Sequence, residues 1–159
     1  MTPPIPSSME QMRASLLTLL EETFERVSGY YLDKGTSLFE TLEGISPETA
    51  SKAASGSRAS IAAHVEHLRF YLDVSLRSMR GEAVGKIDWS ESWKLQRVTA
   101  EEWEALKGRL RQAYTSVQAT VHGDDAWDRP EDVSDALAIL AHTAYHLGAI
   151  RQAMGVVKN

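Results

Sequence analysis

The chain has 159 residues, 43% of them hydrophobic and 25% charged, with a formal net charge of −5. This fits one globular domain over residues 1–159 with a sizeable core; the basic residues are interleaved with acids, which argues against a nucleic-acid surface. There is no cysteine, hence no disulfide, thiolate ligand or cysteine nucleophile, and neither a membrane span nor a signal-peptide layout is visible, so a cytoplasmic protein is expected.

Pro3, Pro4 and Pro6 make a loose start over about residues 1–7. From Met9 through Met12, Leu16, Leu19, Leu20, Thr23 and Val27 to Tyr31, apolar positions recur at three- and four-residue spacing, which predicts a first helix from about Ser8 to Tyr31. Gly35 interrupts it. A short amphipathic piece runs from Ser37 to Leu42, and Ser46-Pro47-Glu48 reads as an N-cap followed by proline at the first helical position. Small and polar residues from Ser51 to Ser57 predict a loop.

A second long helix is expected from Ser57 or Ser60 to about Arg80, with Ile61, Val65, Leu68, Leu72 and Leu76 on one stripe. The stretch from Glu82 to Val98 reads as a long loop carrying Trp89 and Trp93, a candidate lid or partner surface. Thr99-Ala-Glu-Glu102 is a capping box, and Trp103, Leu106, Leu110, Ala113, Val117 and Val121 follow on one face of a third helix. Gly123-Asp-Asp predicts a turn. The last helix is expected from Asp132 or Ser134 to about Met154. Its face of Asp135, Ala138, Ile139, His142, His146, Ala149, Ile150 and Ala153 is too apolar for water, so it should point inward. With no strand alternation and no repeat, the expectation is an all-α four-helix bundle with extra short helices in its connections. Bundles build metal sites from side chains on facing helices.

Two histidine motifs carry the chemistry. His142-Thr-Ala-Tyr-His146 puts two imidazoles on one face of a helix, about 6 Å apart and one turn removed. One further histidine, from His64-Val-Glu-His67 on a neighbouring helix, brings three neutral nitrogens together. That is the ligand count of an open zinc-type site, which keeps a position for water or substrate. Three imidazoles accept several divalent ions, and geometry and supply select among them.

The segment Leu140-Ala-His-Thr-Ala-Tyr-His146-Leu-Gly-Ala-Ile-Arg-Gln-Ala resembles the last-helix signature of the DinB/YfiT-like metalloenzymes. Ser60-Ile-Ala-Ala-His-Val-Glu-His67-Leu is similar to their second-helix pattern, a Ser or Thr seven residues before a His that precedes an aliphatic residue. The order and separation of the motifs agree, and the resemblance spans the first helix to Met154. It implies a bundle holding nickel, zinc or a similar divalent ion, manganese and iron included, on His67, His142 and His146, commonly in a homodimer. It further implies, for some members, thiol-dependent S-transferase or isomerase activity with low-molecular-weight thiols. The family name alludes to DNA damage, but this acidic chain offers no DNA surface.

His64 stands where the family usually has an apolar residue, and could supply the second-helix ligand in place of His67 or bond behind it. His122, beside Gly123, reads as a helix-end residue that compensates the dipole. Asp135 either orients a ligand or serves the helix start. Tyr71 and Tyr145 are proton donors or core and rim residues, and Trp89, Trp93, Trp103 and Trp127 wall a pocket, a bundle end or a dimer seam. No catalytic residue is assigned, and no phosphate loop, paired catalytic carboxylates or Ser-His-Asp order is visible. Two functions are expected: a metal-dependent enzyme acting on a small molecule, for which the resemblance implies a thiol-dependent S-transferase or a related hydrolase or isomerase, or a non-catalytic stress-associated metal-binding or dimeric interaction protein.

Overall fold

A computed structural model describes residues 7–53, 59–123, 127 and 129–157. Among these residues the regular structure is helical, apart from one isolated bridge between Ala53 and Ser60. In chain order the helices are α1 (Ser8–Phe24), α2 (Leu38–Glu43), α3 (Pro47–Ala50), α4 (Ile61–Met79), α5 (Ala100–His122) and α6 (Pro130–Val157), with a 3-10 turn at Trp89–Trp93 between α4 and α5.

Polar caps begin five of the helices. Ser7 with Glu10, Ser37 with Glu40 and Thr99 with Glu102 form capping boxes, and the Ser46 and Ser60 side chains accept from the backbone N–H groups of Thr49 and Ala63. Of the loose start, only Ser7 is described, and it caps α1. The expected loop at 51–57 and the turn at 123–125 fall largely outside the described residues.

The first helix is shorter than its periodicity predicts: it stops at Phe24, not Tyr31. The cause is Glu22. Its buried carboxylate accepts the backbone N–H groups of Ser28, Tyr30, Tyr31 and Leu32 at 2.8–3.1 Å, which folds the chain back across the helix end. Gly29, at φ 90°, supplies the left-handed turn this requires. The last helix is longer than expected, starting at Pro130 and running to Val157. The long loop over 82–98 is likewise interrupted, by the 3-10 turn.

Helix α4 lies between α5 and α6 and also packs on the 3-10 turn, while α1 leans on α5 and α6. The α4 stripe and the α5 face read from the sequence are all buried. They meet Leu16, Leu20 and Phe24 of α1 and Ile139 and Ile150 of α6 in one apolar cluster. Phe24 stacks on Tyr114 at 4.2 Å, and the Trp103 indole N–H donates to the Ile45 carbonyl at 2.9 Å. On α6 the inward face is rotated slightly from the expected one. Ala136, Ile139, Thr143, His146, Leu147, Ile150 and Ala153 are buried, whereas Ala138 is exposed.

Candidate metal centre

Helix α4 begins at Ile61, just after its Ser60 cap, so His64 and His67 fall on its first and second turns, facing α6. On α6, His142 and His146 stand one turn apart. The packing of these two helices gathers four of the chain's five histidines. Ring centroids lie 4.5 Å apart for His142 and His146, 4.9 Å for His67 and His146, and 5.3 Å for His67 and His142. One nitrogen from each of His67, His142 and His146 falls within 4.8 Å of the other two, so the three could hold one metal ion. His64 is outside that set. Its Nδ1 lies 3.0 Å from Nδ1 of His146, at hydrogen-bond distance.

Each ring is held from behind or from the side. His67 Nδ1 sits 2.7 Å from the Ser92 hydroxyl, and Trp93 stacks on the same imidazole at 4.1 Å and 18°. Tyr71 stacks on His142 at 3.7 Å and 16°. Trp93 also meets His64 edge-on at 5.3 Å, and Tyr145 meets His146 edge-on at 5.1 Å. His67 and His146 are buried, and His142 and His64 are half-buried.

Burial lowers the pKa of all four imidazoles. Burial, then the neighbouring His142 and His64, brings His67 down to about 4. Burial, then His142, His67 and His64, brings His146 down to about 3. At neutral pH these rings therefore keep lone pairs, as a metal ligand must. The donor set fits a borderline divalent cation that takes imidazole. One atom adds weight to that fit: Nε2 of His142 is buried and has no hydrogen-bond partner among the described residues. A buried polar nitrogen without a partner is costly, and a metal bond satisfies it.

The other residues singled out in the sequence have simpler places. Asp135 accepts from the Ser78 hydroxyl at 3.3 Å, tying the start of α6 to the end of α4. His122 is exposed in the last turn of α5. Trp127 donates to the Val121 carbonyl at 3.2 Å. Tyr71 offers its ring to His142, and Tyr145 is 72% exposed. Sequence reasoning missed Ser92 and the stacking of Trp93. The only signal was the presence of two tryptophans in the long loop over 82–98.

A helical protein in which two packed helices converge three histidines belongs, by architecture, among helical proteins with a candidate metal centre. The sequence profile of the DinB superfamily matches residues 30–150, and the chain belongs to that superfamily. No curated protein and no solved structure matches it.

Proposed function

We propose that this DinB-superfamily protein is a single-domain four-helix bundle of α1, α4, α5 and α6 that binds one divalent metal ion through His67, His142 and His146. The observation that supports this reading is the convergence of three ring nitrogens within 4.8 Å. Nickel or zinc suits three imidazoles best, with manganese or iron as weaker candidates. In this reading His64 stands behind His146. Its Nδ1 takes the proton that His146 Nδ1 donates, which leaves Nε2 of His146 free for the ion.

The activity we propose is that of a metal-dependent enzyme acting on a small molecule. A low-molecular-weight thiol S-transferase fits, as does a related hydrolase or isomerase. When bound, the ion supplies a Lewis-acid centre that acidifies a thiol or water and holds it against an electrophile. The chain contributes the ligand geometry. Trp93 and Tyr71 cover ring faces, shield the histidines from water on those sides and limit their rotation. With no cysteine in the chain, no protein thiol competes with a small thiol for the open position. We place the protein in the cytoplasm as a homodimer; no helix among the described residues is long and apolar enough to cross a membrane.

A second reading, a non-catalytic metal-binding protein, is favoured by one feature. Two of the three histidines are almost fully buried, at 7% exposure for His67 and 3% for His146, as in closed structural sites. Metal analysis of protein purified without a histidine tag, followed by a conjugation assay with several low-molecular-weight thiols, separates the two. Bound metal with thiol turnover supports the enzyme. Bound metal without turnover on any thiol or hydrolysable ester favours the second reading, and light scattering of the same sample tests the dimer.

A further inference from the structure

The Trp89–Trp93 turn is joined to the histidine cluster by one hydroxyl. Ser92 is 1% exposed, and its Oγ lies 2.7 Å from the Trp89 carbonyl oxygen and 2.7 Å from His67 Nδ1. A serine hydroxyl has a single proton to donate. The Trp89 carbonyl can only accept, so it takes that proton, and the Ser92 oxygen must then accept from His67. His67 is thereby fixed in the tautomer with hydrogen on Nδ1, and its lone pair lies on Nε2. The other face of the constraint is steric. Trp93, the next residue of the same turn, stacks on the His67 ring, and the Ser60 N–H donates to Gln96 just beyond it at 2.9 Å, pinning the loop to the start of α4.

We propose that Ser92 is a positioning residue of the metal site: from the 3-10 turn its hydroxyl selects the tautomer and angle of His67, so that docking of the turn and binding of a metal ion by His67 support each other. This rests on the metal reading given above. The turn is then part of the site, and the same bond helps to hold Trp93 on the His67 ring and Trp89 beside it.

The test uses zinc alone as probe, with wild type, Ser92→Ala and Ser92→Thr, and reads the ¹⁵N shifts of the His67 ring in the metal-free protein. The expected result is the Nδ1–H tautomer in wild type and its loss in Ser92→Ala. Zinc affinity should fall about 10- to 100-fold in Ser92→Ala, the scale of groups that hold a ligand from behind, and be largely kept in Ser92→Thr. Unchanged affinity and tautomer in folded Ser92→Ala overturn the proposal and leave the metal reading standing. An Nε2–H tautomer in wild type overturns it whatever zinc does. Failure of wild type to bind zinc overturns both readings. If Ser92→Ala does not fold, the wild-type tautomer and the affinity of Ser92→Thr decide.

Discussion

Glu22 shows how much of this structure turns on single polar groups. Burial by itself would raise its pKa, but the backbone N–H groups of Tyr31, Tyr30, Leu32 and Ser28 outweigh that and bring the carboxyl down to about 2 from an ordinary 4.5. As pH falls, the unfolded chain therefore takes up the proton first. The stabilisation from Glu22 is whole above about 4.5 and is lost as pH falls towards about 2. Glu22→Gln should lower the urea midpoint at neutral pH, and its gap from wild type should narrow below about pH 4.5. A gap that stays constant across that range would contradict the role given to this carboxylate. Nothing in the residue pattern announces it. The groups that Glu22 binds are main-chain N–H groups six to ten residues on, which leave no side-chain signature. Val27 and Tyr31 prolonged the helical periodicity past the true end, although neither is buried.

Among the elements, legibility followed locality. Capping is written in residues three apart, so Ser46-Pro47 and Thr99 with Glu102 marked helix starts correctly. The apolar stripes of α4 and α5 also read true, because burial repeats with the helical turn. What did not read was the 3-10 turn. Trp89–Trp93 has too short a span for periodicity, and it holds its place through contacts with α4 that lie more than twenty residues away in sequence, such as the one from Ser92 to His67. Helix α4 is the element on which the rest depends, since α5, α6 and the turn all pack on it. Leu72 is fully buried in its centre. Leu72→Ala should cost about 2–5 kcal/mol of unfolding free energy, the range for a leucine truncated inside a packed core. Equilibrium denaturation checks this; a loss below about 0.5 kcal/mol, the range of a surface substitution, would show that the α4 stripe is not core.

For the whole molecule, the candidate site depends on histidines more than seventy residues apart in sequence being brought face to face by α4 and α6. His142 and His146 could be paired from spacing alone. Spacing alone left His64 and His67 open as the second-helix partner; in the structure His67 lies in the three-nitrogen set and His64 against His146. Single substitutions of His67, His142 or His146 to alanine should each abolish tight zinc binding, because two ligands remain. His64→Ala should retain zinc with affinity reduced about 10- to 100-fold. Competition titration of the folded variants measures this ranking, and tight binding by His67→Ala with loss in His64→Ala would exchange their roles. Whether one ion sits between α4 and α6 is decided by anomalous scattering from crystals of the tag-free protein grown with zinc. One strong peak per chain is expected at about 2.0–2.1 Å from a ring nitrogen of each of His67, His142 and His146. No peak at the cluster, or a peak bound by other residues, would contradict it.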